Sequence, residues 1–305
     1  LRAREVPLVR ETFRTVGRLA RSGRVRWLRD PRDWFEYRVP GSFEIVDQTA
    51  AAPSGEGAWQ LQPPAGEGAF ATFELPEQMV GFPVLTVDAP AGTVIELVTQ
   101  ESHDPAGPAW LDTHLFCWSR LVCREGENRF ESFDYESLRF LQVHVHEAAG
   151  PVVLRDVGVR RRSYPWPKAP SFACAEPKLQ RVFEASFNTL VNAAQETIVD
   201  GMGRERQQYS GDGAHLLHAT RLACGDRQLA RRFLRTYPMG QTTDGFFLDC
   251  WPAFDRLNRL AQRQVGATSW GPLLDHGVTL VYDAWRHHRE TGETDLLLDL
   301  YPRFV

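Results

Sequence analysis

The sequence predicts two domains of different class: an antiparallel, jelly-roll-like β-sandwich followed by an all-α domain. Three observations predict this. Residues 42–163 break into short β-branched or alternating runs separated by Gly- and Pro-bearing turns. The segment Ser163–Pro170 carries Pro165, Pro167 and Pro170, which fit neither a helix interior nor a central strand. Beyond it, apolar residues recur at helical spacing.

Taken in order, residues 1–41 are Arg-rich. Val6, Leu8, Val9, Phe13, Val16 and Leu19 are spaced loosely like a helix face, so the segment reads as a connector or the tail of an upstream domain. Strands are expected at Phe43–Val46, Ala69–Leu75, Val84–Val87, Thr93–Thr99, Phe130–Phe133, Phe140–His146 and Val152–Val159. Turn clusters such as Pro63-Pro64-Ala65-Gly66 and Ala89-Pro90-Ala91-Gly92 lie between them. Phe140–His146 alternates cleanly, which predicts one buried face and one wet face carrying His144 and His146. Those two His fit solvated surface residues better than a metal pair. The domain over 164–305 is expected to hold helices at Glu176–Gln195, Gly213–Ala223, Arg227–Tyr237, Leu273–Thr291 and from Thr294 onward.

Composition narrows the function classes. A chain of 305 residues with 43% hydrophobic and 24% charged residues is globular rather than disordered. A net charge of −4 gives no reason to expect nucleic acid or an anionic membrane as partner. The five Cys are odd in number and none forms a CxxC, which argues against a disulfide framework or a structural zinc; Cys117 and Cys123 read as buried thiols rather than a hairpin pair. No run reaches the ~18 apolar residues of a membrane helix. No segment resembles a signal peptide, which favours the cytoplasm, although the chain opens on Leu1 and reads like the middle of a longer protein. Homo-oligomerisation is left open.

The most informative stretch is the loop Asp200–Gly213, with three carboxylates, two guanidinium groups, a phenol and four glycines. Loops on a rigid scaffold concentrate catalytic groups, and glycine lets the backbone approach a ligand. Crowded carboxylates favour retention of a proton on one of them, as a general acid requires; a nearby Arg204 or Arg206 works the other way. On composition alone a helix connection with a surface salt-bridge network is the slightly better reading of the loop, and Asp212 before Gly213 could also be a plain helix N-cap.

The motif Asp200, Arg204-Glu205-Arg206, Tyr209, Gly211-Asp212 resembles the signature of the inverting α-L-rhamnosidases, D-x-P-x-R-x-E-R-x-x-W-x-G-D and its shorter variants. Phe133-Asp134-Tyr135-Glu136-Ser137-Leu138-Arg139-Phe140-Leu141-Gln142-Val143 resembles the phrase closing that family's β-sandwich, and Glu290-Thr291-Gly292-Glu293-Thr294 with Leu300-Tyr301-Pro302 resembles its barrel helices. The likeness covers most of residues 42–305. It implies that the helical domain is the N-terminal part of an (α/α)6 toroid barrel. It further implies hydrolysis of terminal α-L-rhamnosyl residues with inversion, with a rhamnose-bearing glycoside as partner and no cofactor or metal. Glu205 would be the general acid, Asp200 and Asp212 would hold sugar hydroxyls, and Arg204 would position the sugar or the acid. Gly201-Met202-Gly203 and Tyr209 depart from the usual residues and put the sugar specificity in doubt, so another six-hairpin glycosidase or an inactive carbohydrate-binding protein stays open.

Inverting glycosidases use two carboxyls about 6.5–9.5 Å apart, one acid and one base. No position before Val305 matches the family's base, so the base is expected beyond it, and twelve helices need more than the residues after Pro170. Trp251 and Trp270 are candidate sugar platforms, and Asp275 is a weaker substrate contact.

Overall fold

The computed structural model describes residues 4–28, 43–48, 51–104, 106–107, 111, 118–203, 205–252 and 273–305. The chain divides into two compact units, Glu11–Arg162 on one side and Leu1–Arg10 with Ser163–Val305 on the other.

The first unit is built from β1 (Arg10–Thr15), β2 (Arg18–Trp27), β3 (Phe43–Asp47), β4 (Ala52–Pro53), β5 (Trp59–Leu61), β6 (Gly68–Ala89), β7 (Val94–Gln100), β8 (Trp118–Val122), β9 (Gly126–Glu131), β10 (Glu136–His146) and β11 (Val152–Ser163). Every pairing given in register is antiparallel. β6, the longest strand, is paired along its length with four others. Its first part pairs with β2 and β10, and its last part, from Gly81, pairs with β11 and β9. β2 leaves β6 at Glu74, just before Pro76, which has no N–H to donate, while β10 stays paired to Gly81 across a register slip between Leu138 and Phe140. Alternate residues of these strands then meet in one core: Ala69, Ala71, Phe73 and Leu75 with Leu85 and Val87, against Leu141, Val143, Leu154 and Val159.

Two expectations are corrected here. The segment read as a connector contains β1 and β2, not a helix: β1 pairs with β11, and β2 with β3 and β6. Its Arg residues suit a strand because their heads pair across it, Arg18 with Glu74 and Arg24 with Asp47 and Glu67. The face of β10 expected to be wet is covered as well. His144 and His146 are 1% and 2% exposed, and Gln142 is fully buried. Trp27, Phe43 and Phe70 lie against His144, while Gln142 bonds Thr72 (2.7 Å) and His144 (2.7 Å), so these three polar side chains bond one another away from water. The strand expected at Phe130–Phe133 starts earlier and stops at Glu131, leaving Phe133 exposed.

The second unit contains α1 (Pro177–Ala193), α2 (Ser210–Cys224), α3 (Gln228–Thr236), α4 (Leu274–Thr291) and α5 (Thr294–Leu300) among the described residues. Pro177 opens α1 where no N–H is needed, and Glu176 caps it by accepting from Lys178 N. α2 and α4 stop at Gly225 and Gly292, both left-handed. α4 packs against α2, α3 and α5, and the core gathers Leu217, Leu229, Phe233, Leu234, Tyr237, Leu280 and Leu296. The opposite face of α4 exposes Leu274, Val278, Val281, Tyr282 and Trp285. Among the described residues, Cys123, Cys174, Cys224 and Cys250 form no disulfide; Cys117 lies outside the described residues.

Candidate active site

The acidic loop hangs between the end of α1 and the start of α2. The chain turns back on itself at once: Asp200 N donates to Gln207 O (3.0 Å), and Gln207 N donates to the Asp200 carboxylate (2.8 Å). Arg206 N closes the inner turn on Gly201 O (3.0 Å). Arg206 is held left-handed at φ 57°, a conformation that costs an ordinary side chain of order 1–3 kcal/mol. Its guanidinium does not point outward; it is turned into the protein, 1% exposed, with Nε donating to Met202 O at 2.7 Å. A loop that stores strain around carboxylates is held by its surroundings, and the contacts show how.

A second segment braces it. Tyr209 forms a β-bridge with Cys250, Trp251 N donates to Gln208 O (3.1 Å), and the Gln208 side chain returns a bond to Trp251 O (2.5 Å). That segment is anchored by Tyr237, whose hydroxyl donates to Asp249 O (2.8 Å) and whose ring stacks on Phe233 of α3. A third brace comes from the start of α4. His276 Nδ1 lies 3.0 Å from Asp249 O, which makes Nδ1 the protonated nitrogen, since a carbonyl oxygen only accepts. The His276 ring meets the Tyr209 ring edge-on at 5.6 Å, and the His276 carbonyl accepts from Ser210 Oγ (2.5 Å).

Within this frame Glu205 is buried, and Tyr209 Oη donates to its Oε2 at 2.7 Å. Asp200 is half-buried, and burial is the main reason its carboxyl is pushed up to about 6. The charges of Glu205 and Asp212 push it the same way, against the N–H bonds from Gln207 and Gly201. The three carboxyls therefore share one electrostatic neighbourhood. The Cys250 thiol is raised by burial first, then by Asp249, Asp200 and Glu205, so it stands close by as an uncharged neighbour. Asp212 is exposed and sits in the first turn of α2, with Tyr209 at the cap position; it is not the N-cap, but its charge suits the helix N-terminus.

Residues 167–304 match the family model of the bacterial α-L-rhamnosidase six-hairpin glycosidase domain. The match covers the helical domain, a little under half of the chain. Among solved structures, the chain is similar to a GH78 family rhamnosidase of Bacillus sp. GL1, at TM-score 0.68 and 20% identity over 90% of this chain and 26% of that one. It is similar to a Klebsiella oxytoca rhamnosidase with rhamnose bound, at TM-score 0.70 and 14% identity over 98% and 56%. A Streptomyces avermitilis α-L-rhamnosidase complexed with L-rhamnose follows at 0.59 and 21% over 77% and 22%. These likenesses establish the fold: a β-sandwich followed by part of the six-hairpin barrel. The chain spans between about a fifth and a little over half of the length of these solved chains. No curated protein matches it by sequence.

Of the other candidate residues, Arg204 and Trp270 lie outside the described residues. Trp251 is half-buried; its ring packs over Gly240, where an added Cβ would come within 2.6 Å, and its backbone braces Gln208. Asp275 is exposed at the start of α4, and its carbonyl accepts from Thr279. Sequence reasoning missed Asp249, His276 and the bond from Tyr209. The neighbouring signal was the pair Asp275-His276, where the second residue, not the first, faces the loop.

Gly211 tests this bracing. A methyl group there would lie 2.7 Å from His276 Nε2. Gly211→Ala is expected to push His276 off the Asp249 carbonyl and to destabilise the unit by about 1–3 kcal/mol. Urea unfolding measures this, and an unchanged midpoint would argue that the ring yields freely.

Proposed function

We propose that the protein hydrolyses terminal α-L-rhamnosyl residues from glycosides with inversion, and that Glu205 is the general acid. The observation that carries this reading is the buried Glu205 carboxyl, held by the Tyr209 hydroxyl at 2.7 Å beside Asp200, inside residues that match the rhamnosidase domain family. Glu205 gives its proton to the glycosidic oxygen as the bond to the anomeric carbon breaks. The bonding electrons leave with that oxygen, and water enters from the opposite face. Asp200 and Asp212 accept hydroxyls of the sugar, and Arg204 helps to position it. The carboxylate that activates the water is not assigned to any described residue.

The test is a panel of aryl glycosides with proton NMR of the freshly released sugar. The reading expects turnover of the α-L-rhamnoside above the other sugars, with the β anomer appearing first. Preference for another sugar would keep the acid chemistry and discard the specificity. An α product would discard inversion, and binding without turnover would leave a carbohydrate-binding protein.

A further inference from the structure

We propose that Tyr209 is a positioning residue for the acid: its hydroxyl selects which oxygen of Glu205 carries the proton and steadies the carboxylate left behind. This rests on the reading of Glu205 as general acid and adds a second residue to it. The Tyr209 hydroxyl has one hydrogen, and it is donated to Glu205 Oε2. An oxygen that already accepts this bond is the poorer place for the acid's own proton, so the proton sits on Oε1 and Oε1 faces the scissile bond. When that proton passes to the glycosidic oxygen, negative charge develops on the carboxylate and the bond from Tyr209 becomes charge-assisted. Tyr209 keeps its own proton throughout.

The phenol is suited to the task because it has little freedom. Tyr209 is 6% exposed. Its backbone is bridged to Cys250, and its ring meets the His276 ring at 5.6 Å and 80°. His276 is itself fixed on Asp249 O, and the next residue, Ser210, bonds the His276 carbonyl. Three segments distant in sequence thus hold one hydroxyl against one carboxyl. A ring serving only to fill space would not need its hydroxyl aimed at Glu205.

Tyr209→Phe keeps the ring and removes the donor. Expected is a loss of about tenfold in kcat on alkyl α-L-rhamnosides, the usual weight of a hydrogen bond to a charged group, with KM nearly unchanged. A dinitrophenyl rhamnoside, which leaves without a proton, should be almost unaffected. The alkaline limb of the pH profile should move to higher pH, because the ionised acid has lost a donor. A ring-fluorinated tyrosine at position 209, a stronger donor of the same shape, should move that limb to lower pH and covers the case in which Phe does not fold. Carbon NMR titration of the Glu205 carboxyl, assigned by its absence in Glu205→Gln, reads the same contact without turnover. Equal losses on all leaving groups with an unmoved limb, or identical titration midpoints, would overturn the role of Tyr209. If Glu205→Gln is strongly impaired while Tyr209→Phe behaves as wild type, only this inference falls. A Glu205→Gln variant that hydrolyses alkyl rhamnosides normally takes down the acid assignment, and this inference with it.

Discussion

Glu205→Gln should lower kcat on an alkyl α-L-rhamnoside by about 10²–10⁴-fold, the usual contribution of a general acid. The amide keeps the size of the carboxyl, and its oxygen can still accept the bond that Tyr209 Oη gives to Glu205 Oε2 at 2.7 Å. The fold should therefore survive while the transferable proton is lost. The loss should shrink steeply as the leaving group improves, because a dinitrophenolate departs unprotonated. It should also be accompanied by loss of the alkaline limb of the pH profile. Steady-state kinetics across a series of aryl and alkyl rhamnosides measure this. A uniform loss across the series would mean that Glu205 binds the sugar and does not protonate it.

Asp200→Asn should separate stability from function. Burial pushes the Asp200 carboxyl up to about 6, above the value near 4 that an unfolded chain gives it. Between those values the native state binds the proton more tightly than the unfolded state. The stability that this group contributes is complete below about pH 4 and is lost as pH rises through about 6. Asn carries no charge to lose, and its oxygen can still accept the bond from Gln207 N. The variant is therefore expected to melt above wild type at pH 7, with the difference closing as pH falls and vanishing below about pH 4. Catalysis should go the other way. A carboxylate that accepts sugar hydroxyls forms charge-assisted bonds worth about 1.5–3 kcal/mol each, so kcat/KM should fall at least ~10-fold, equally for all leaving groups. Thermal melts from pH 4 to 8 beside the kinetics read both effects. A loss that depends on the leaving group would transfer the acid role to Asp200, whose raised carboxyl suits it.

The difference between what the sequence revealed and what it hid lies in where each signal is stored. Helix limits are local. Pro177 and Gly292 mark them in the sequence, and the structure places the ends of α1 and α4 there. Strand cores such as Leu141 and Val143 are legible from alternation. Whether the other face meets water is not local. Gln142 and His144 look like surface residues because they are polar, yet they bond each other under Trp27, Phe43 and Phe70. β1 and β2 were hidden because Arg-rich segments look unsuited to a sheet until Glu74, Asp47 and Glu67 are seen opposite them. In the site, the spacing of Asp200, Glu205 and Asp212 is written in the chain. The bracing of Tyr209 by Cys250 and His276 spans dozens of residues and exists only once the helices have packed. Sequence reading treated Tyr209 as a departure bearing on sugar specificity; its hydroxyl instead meets the carboxyl read as the acid.

The central claim is that the loop from Asp200 to Asp212 holds the sugar whose bond is cut. A crystal structure of the Glu205→Gln protein soaked with L-rhamnose tests it most directly. The account predicts the sugar with its hydroxyls on the carboxylates of Asp200 and Asp212, and with the residue 205 side chain about 2.6–3.2 Å from the anomeric oxygen. Rhamnose bound away from this loop, or lying on it with residue 205 out of reach of the anomeric oxygen, would contradict it.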